Sequence, residues 1–247
     1  MDVYAAETYG DKIASVYDEL YPGYDENAIH RLAELSRGGR ALELGIGTGR
    51  FALPLQGMGV EVHGIDASQA MIDRLRAKPD GERIPVTVGD FSAVDVEGEF
   101  SLIYVVFNTL FGLLTQDAQI HCFENVARHL TPEGVFVVEA FVPDLKRFDN
   151  GQSLKVISLD EGALRLDASR IDVAHQTITA QHVHLSEQGT QIFPVKLRYI
   201  WPSEMDLMAR LAGLHLRQRW GGWEQSPFTS SSGKHITLYG LAAPALS

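Results

Sequence analysis

The sequence predicts an α/β protein: a doubly wound, mostly parallel sheet followed by a small inserted antiparallel sheet. Two observations lead to this fold class. Up to Phe141, short apolar runs alternate with segments of helical spacing, which is the rhythm of strands covered by helices on both faces. After Pro143, apolar and polar residues alternate one by one, which is typical of strands with a single buried face.

Five apolar runs are the expected strands of the parallel sheet. They are Ala41–Leu44, Val60–Ile65, Val86–Val88, Ser101–Phe107 and Gly134–Phe141. Helical spacing follows the first strand over Arg50–Gln56, begins after a predicted N-cap at Ser68, and covers Thr115–Leu130. The residues of Thr131–Gly134 predict a turn before the fifth strand.

The alternating segment, Leu154–Ile200, predicts three or four antiparallel strands, with turns at Asp160–Gly162 and Glu187–Gly189. The helical pattern then returns, with Ser203 as the expected N-cap and Gly213 as the stop. Two final strands are expected at Leu214–Trp220 and His235–Leu241.

Composition excludes several classes of protein. The chain has 247 residues, of which 45% are apolar and 21% charged, as in an ordinary globular domain. Its net charge of −11 disfavours nucleic acid and membrane surfaces as partners. The single cysteine, Cys122, excludes an internal disulfide. The first ten residues do not look like a secretory signal, and the apolar run Leu102–Phe107 is too short to span a bilayer, so we expect a cytoplasmic protein.

A glycine-rich loop, Gly45–Gly49, leaves the first strand and opens a helix. Glycines let the backbone turn tightly and let a ligand approach closely, although a purely structural turn explains them equally well. The second strand ends at Asp66, roughly 20 residues further on, where a carboxylate can accept both hydroxyls of a ribose. Together the two features predict a ligand that contains a nucleoside.

The loop differs from a dinucleotide-binding fingerprint. That pattern requires a third glycine at position 50, which is Arg50, whereas the third glycine here is Gly49. Glu43 precedes the loop within the strand, and a carboxylate there disfavours a pyrophosphate but favours an amino group or a sulfonium. A nicotinamide-dependent oxidoreductase is therefore the less favoured interpretation.

Two further segments follow the third and fourth strands, at the sheet edge where open α/β sheets bind ligands. Asp90, with Phe91 beside it, can accept a hydrogen bond from an adenine amine, or can simply cap a turn. Phe107 and Asn108 either face the ligand or only begin a loop.

These motifs resemble those of class I S-adenosylmethionine-dependent methyltransferases of the small-molecule type. The resemblance rests on E-L-G-I-G-T-G at 43–49, Asp66, G-D-F at 89–91 and L-T-P-E-G at 130–134, and it covers Arg40–Phe141. It implies a seven-stranded sheet with a terminal antiparallel strand, and S-adenosylmethionine as cofactor with S-adenosylhomocysteine as product. It also implies these cofactor contacts: Glu43, Gly45 and Gly47 at the methionine part, Asp66 at the ribose, Ala67, Met71, Asp90 and Phe91 around the adenine, and Phe107 and Asn108 near the sulfonium. Thr48 is a further expected cofactor contact.

The N-terminal segment is rich in tyrosines and is a candidate lid, with Tyr17 and Tyr24 as further cofactor contacts. The alternative is an ordinary amphipathic helix. The insertion resembles that of the N,N-dimethyltransferases of nucleotide-linked amino sugars. Four basic residues there, which either contact a pyrophosphate or simply face solvent, are Arg165, Arg170, Lys196 and Arg198.

Methyl transfer from a sulfonium mainly needs alignment of the reacting atoms, so an obligatory catalytic dyad is not expected. An amine acceptor must only be deprotonated, whereas a hydroxyl benefits from a base. Tyr17 and His184 are the candidate catalytic residues. His182 and His184 lie on one face of a predicted strand, but without a carboxylate recognisable beside them a metal site is not expected.

The sequence thus predicts an enzyme that transfers a methyl group from S-adenosylmethionine to N or O of a small-molecule acceptor. The alternatives are a non-methylating reaction with the same cofactor and a non-catalytic binding subunit. A homodimer is compatible with the sequence, which does not determine the oligomeric state. The expected parts of this single domain (1–247) are lid helices at 1–36, a cofactor-binding core at 37–142, an antiparallel insertion on the acceptor side at 143–200, and the last helix and strand pair at 201–247.

Overall fold

A computed structural model describes residues 4–93 and 96–242. Its strands are, in chain order, β1 (Ala41–Leu44), β2 (Val62–Asp66), β3 (Val86–Val88), β4 (Phe100–Val105), β5 (Leu130–Phe141), β6 (Gln152–Asp160), β7 (Ala163–Asp172), β8 (Thr177–Ser186), β9 (Gly189–Arg198), β10 (Leu214–Trp220) and β11 (Lys234–Leu241). Its α-helices are α1 (Thr8–Ile13), α2 (Tyr17–Leu20), α3 (Glu26–Ser36), α4 (Ala52–Gly57), α5 (Gln69–Arg76), α6 (Gln116–His129) and α7 (Pro202–Leu211).

Seven strands form the larger sheet in the order β10-β11-β5-β4-β1-β2-β3. The strands from β1 to β5 pair in parallel, and β11 runs antiparallel to both β5 and β10. This arrangement confirms the predicted seven-stranded, mostly parallel sheet in which the last strand of the chain is antiparallel.

Both faces of the larger sheet are covered at its centre, which explains why its central strands are mostly apolar. On β5, Phe136 and Val138 belong to a buried cluster that includes Phe123 of α6, whereas Val135 and Val137 belong to a cluster on the other face that includes Leu32 of α3. Successive side chains of a strand point to opposite faces, so a strand between two covered faces needs apolar residues at most positions.

The smaller sheet consists of β6, β7, β8 and β9 joined as consecutive antiparallel hairpins. This confirms the predicted inserted antiparallel sheet. Ile178 and Ala180 of β8 are buried on one face, while Gln181, the residue after Ala180, points to the opposite face and is exposed. Gly162 has a φ of +77° in the turn between β6 and β7, which a side-chain-bearing residue rarely adopts.

Two of the four basic residues considered as pyrophosphate contacts are instead bonded within the protein. Arg198, at the end of β9, is 7% exposed; it donates hydrogen bonds to Gln119 of α6 (2.5 Å) and Glu204 of α7 (2.7 Å). Arg165 donates to the backbone oxygen of Leu20 at 2.7 Å. Neither faces solvent freely, because each ties the smaller sheet to another part of the chain.

Element ends follow the predictions at some positions and depart from them at others. Ser68 caps α5, since its Oγ accepts a hydrogen bond from the Met71 N–H at 3.2 Å, as predicted. The prediction that Ser203 caps α7 is wrong, because Trp201 holds that position and Pro202 begins the helix. Residues 131–134 bulge within β5, where Leu130 lies opposite Phe100 but the next paired residue is Val135, five positions on. None of the described helices is long and apolar enough to cross a membrane.

Candidate active site

A cavity of about 430 Å³ lies at the carboxyl ends of β1, β2, β3 and β4. The N-terminal segment and the inner face of the smaller sheet form its remaining walls. All the predicted cofactor-binding residues except Tyr24 line it: Tyr17, Glu43, Gly45, Gly47, Thr48, Asp66, Ala67, Met71, Asp90, Phe91, Phe107 and Asn108. The structure therefore brings these residues together, and their contacts with a cofactor stay a prediction.

The loop after β1 requires glycine for two reasons. Gly45 has a φ of +74°, and a Cβ there would lie 2.4 Å from the Thr109 Cγ2. Gly47 has a φ of +54°, and its Cβ would approach the Met71 side chain. Left-handed backbone and close approach both favour glycine, so the loop presents bare backbone to the cavity.

Asp66 holds this loop in place. Its Oδ2 accepts a hydrogen bond from the Gly47 N–H at 2.7 Å, and its Oδ1 accepts one from the Ser68 N–H at 2.8 Å. Burial raises the pKa of Asp66, while the two N–H donors counteract part of this effect. Each carboxylate oxygen retains a further lone pair, so Asp66 can organise the loop and still accept hydrogen bonds from a ligand. The sequence pattern did not reveal the first of these roles.

Glu43 is a buried carboxyl on the cavity wall. It is 3% exposed, and its Oε2 accepts a hydrogen bond from the Tyr104 hydroxyl at 2.9 Å. Burial raises the pKa of Glu43 to about 8, although Tyr104 and Arg50 act in the opposite direction. A cationic ligand group beside this carboxyl would restore its ionised form, so the site fits an ammonium or a sulfonium.

The segment after β3 forms a turn that Asp90 caps, which was the alternative to a role in ligand binding. The Asp90 Oδ1 accepts a hydrogen bond from the Ser92 N–H at 2.8 Å. Asp90 nevertheless lines the cavity together with Phe91, and its remaining oxygen lone pairs are open to a ligand donor.

The segment after β4 is more than a loop start. Phe107 and Asn108 have φ values of +56° and +65°, which is uncommon for two successive residues that are not glycine. The Asn108 Oδ1 accepts a hydrogen bond from the Phe141 N–H at 2.7 Å, and the Phe107 N–H donates to Glu139 at 3.1 Å. These bonds to β5 hold a costly conformation at the cavity edge, where such strain is usually functional.

The N-terminal segment is bonded to the rim of the cavity. Asp11 accepts a hydrogen bond from the Ser68 hydroxyl at 2.6 Å. Asp18 accepts one from the Thr48 hydroxyl at 2.6 Å and forms an ion pair with Lys78 at 2.8 Å. The segment therefore lies across the glycine loop and the start of α5.

Aromatic rings connect the end of β4 to the smaller sheet, in a series that we call the aromatic row: Phe107, Tyr21, Tyr9 and His182. Tyr21 packs edge-on against Phe107 with ring centroids 5.3 Å apart. The Tyr9 and Tyr21 hydroxyls are 3.4 Å apart, and the Tyr9 ring packs edge-on against His182 at 6.3 Å. The predicted contact Tyr24 is instead 47% exposed and is not part of the cavity wall.

The two candidate catalytic residues have different positions. Tyr17 lines the cavity, but burial raises its pKa to about 12, so the phenol stays protonated near neutral pH. His184 is not part of the cavity wall, whereas His182, two residues earlier on β8, is.

A carboxylate that the sequence analysis missed accompanies His182. Asp167 of β7 is its direct cross-strand neighbour, and the His182 Nε2 lies 3.6 Å from the Asp167 Oδ2. Burial disfavours the ionised form of Asp167, but its contacts with His182 and Ser169 outweigh this and lower its pKa. Only the hairpin register, which the residue pattern left open, could have revealed this pair. Among the described residues, no group of three or more His, Cys, Asp or Glu is arranged to hold a metal ion.

Comparisons with known proteins agree with this geometry. A family model described as "Methyltransferase domain" matches residues 41–134. The structure of the CcbJ methyltransferase from Streptomyces caelestis is 41% identical to this chain, covers 97% of this chain and 100% of its own, and superposes with a TM-score of 0.91.

Two more distant matches follow. The cypemycin N-terminal methyltransferase of a Streptomyces species is 27% identical over 204 residues, or 81% of this chain and 82% of that protein. CalS10, an amino pentose methyltransferase from Micromonospora echinaspora, shares the fold at 20% identity and a TM-score of 0.68, over 96% of this chain and 98% of its own. The family model, the 41% identity over nearly the whole chain and the shared fold agree: this chain belongs to the class I S-adenosylmethionine-dependent methyltransferases.

Proposed function

We propose that this S-adenosylmethionine-dependent methyltransferase transfers the methyl group to a nitrogen of a small-molecule acceptor. One observation carries the proposal: the glycine loop and Asp66 line the same cavity as the inner face of the smaller sheet. A volume of about 430 Å³ is in the range of small-molecule sites.

The cofactor side of the cavity fits S-adenosylmethionine. Asp66 would accept hydrogen bonds from the ribose, Glu43 would face the positively charged methionine part, and the bare backbone of Gly45 and Gly47 allows close approach. When bound, the cofactor supplies a methyl group that is activated by the positive charge on sulfur. The residues of this chain then hold the acceptor in line and exclude water.

The acceptor side combines apolar and polar groups. Ile178 and Ala180 of β8 contribute an apolar surface, and Asp167 and His182 lie further along the same hairpin. Such a mixed wall suits a small amphiphilic molecule, in which a few polar contacts set the orientation.

Nitrogen is favoured over oxygen as the acceptor atom. The 27% identical relative is named as an N-terminal methyltransferase, and an N-terminus presents an amine. Deprotonation is the only activation that an amine requires, and the pair of Asp167 and His182 offers a proton acceptor within the cavity.

We assign each part of the chain a role in this reaction. Residues 1–36 act as a lid, because Asp11 and Asp18 bond to the rim of the cofactor side. Residues 37–142 hold the cofactor, residues 143–200 form the acceptor wall, and residues 201–247 complete the core.

The test is to incubate the protein with S-adenosylmethionine and a panel of glycinamide, prolinamide, glucosamine and phenol. S-adenosylhomocysteine release and a product heavier by one methylene, seen with an amine but not with phenol, support the proposal. Asp66→Ala should remove the activity together with cofactor binding. Methylation of phenol alone would contradict a nitrogen acceptor, and cofactor consumption without added methyl mass would indicate a non-methylating reaction.

A further inference from the structure

His182 and Asp167 form the one pair of a histidine and a carboxylate among the described residues of the cavity wall. The His182 side chain is about a third exposed and the Asp167 side chain 16% exposed, with 3.6 Å between the His182 Nε2 and the Asp167 Oδ2. Asp167 lies beside the imidazole on the neighbouring strand, and the ring is the more exposed member of the pair. A carboxylate in that position orients a histidine ring and stabilises its protonated form.

The aromatic row places this pair relative to the cofactor side. It begins at Phe107, at the end of β4 beside the glycine loop, and runs through Tyr21 and Tyr9 to the His182 ring. Aromatic faces attract ammonium groups. A basic nitrogen lying along the row therefore has the cofactor loop on one side and the pair on the other.

We propose that His182, oriented by Asp167, recognises the acceptor amine and takes up the proton released on methylation, directly or through one water. This inference rests on the proposed nitrogen acceptor. The nitrogen forms its bond to the transferred methyl while the bonding pair stays on sulfur, and the displaced N–H proton passes to the imidazole. The ring becomes an imidazolium whose charge the Asp167 carboxylate balances.

Charged and titratable groups from every neighbouring element bear on this step. Asp167 of β7 favours a positive charge on the imidazole, whereas Arg147 and Lys196, which line the same cavity, oppose it. Tyr9 of α1 packs against the ring, and burial raises the pKa of its phenol so that it stays neutral. Among the described residues, Asp167 is the one carboxylate in contact with His182. Removing it should leave the imidazole without the group that orients it and balances its charge.

A binding experiment tests the proposal without knowledge of the natural acceptor. Sinefungin carries an amine-bearing carbon where S-adenosylmethionine has its methyl-bearing sulfur, and S-adenosylhomocysteine lacks such an amine. Calorimetry gives the ratio of the two affinities for the wild-type protein, His182→Gln and Asp167→Asn. We expect the preference for sinefungin to fall by about tenfold in each variant, the effect typical of a lost charge-assisted hydrogen bond. The affinity for S-adenosylhomocysteine should stay the same, which shows that the fold and nucleoside site are intact.

The chain offers a matched control. His175 and Asp172 form an exposed pair at 2.7 Å at the end of the same hairpin, outside the cavity, so His175→Gln should not change the ratio.

An unchanged ratio in both cavity variants would overturn the proposal. A parallel loss of S-adenosylhomocysteine binding would overturn it too, because the pair would then only support the fold. Both results come from binding measurements and do not depend on the acceptor panel. If no amine in the panel is methylated, the proposed function fails, but the binding test of His182 and Asp167 can still be judged on its own.

Discussion

The buried carboxyl of Glu43 predicts a specific dependence of stability on pH. Its pKa of about 8 lies above the ordinary value of 4.5, so the folded protein holds a proton that the unfolded chain releases. Stability from this group is complete below the ordinary pKa and is lost as the pH rises towards about 8. At about 1.36 kcal/mol per pKa unit, the loss amounts to at most about 5 kcal/mol.

Glu43→Gln removes this titration while keeping an oxygen that can accept the Tyr104 hydrogen bond. Urea denaturation of the cofactor-free protein should give similar unfolding free energies for the variant and the wild type near the ordinary carboxyl pKa. Above about pH 8 the variant should be more stable by several kcal/mol. Because its amide carries no charge, the variant should also bind S-adenosylmethionine more weakly than the wild type.

An exposed carboxyl provides the control. Glu61, just before β2, is ion-paired with Arg40, and hydrogen bonding lowers its pKa, so Glu61→Gln should show no gain at high pH. A stability difference between Glu43→Gln and the wild type that does not change with pH would refute the raised pKa of Glu43.

Three further changes test the loop, the lid and the link between the sheets. Gly45→Ala should destabilise the protein by about 1 kcal/mol or more and abolish cofactor binding, because its Cβ would meet Thr109. Gly38→Ala has the same left-handed φ but open space, so calorimetry showing equal binding losses would contradict a steric cause. Asp18→Asn should weaken cofactor affinity by up to about fivefold, since an exposed ion pair is worth at most about 1 kcal/mol; unchanged affinity would argue against a lid held by this residue. Arg198→Met should cost about 3 kcal/mol in urea denaturation, and a loss below about 0.5 kcal/mol would show that its buried bonds do not hold the sheets together.

The positions of the strands along the chain and the glycine loop could be predicted because they depend on local patterns. A strand covered on both faces is mostly apolar, and a backbone that turns with positive φ favours glycine, as at Gly45. The same local logic correctly predicted Ser68 as the cap of α5.

Features that depend on pairing between distant segments were not predictable in this way. His184 and His182 share one strand face, and only the register of β7 against β8 shows that His182 faces Asp167. The sequence did not show that Arg198 is buried. One of its partners, Gln119 of α6, is distant in sequence, and the other, Glu204, lies on the next helix, α7. Tyr24 belongs to an aromatic-rich segment, but the path of that segment turns Tyr9 and Tyr21 towards the cavity instead.

The short segment that contains α1 and α2 is hydrogen-bonded to two separate parts of the molecule. Asp18 is bonded to the loop after β1, and the Leu20 carbonyl, two residues further, accepts a hydrogen bond from Arg165 of the smaller sheet. Displacing this stretch breaks both attachments together. If this stretch acts as the proposed lid, a single opening event would expose both ends of the cavity, and the rate of that event would limit how fast spent cofactor and product leave between turnovers.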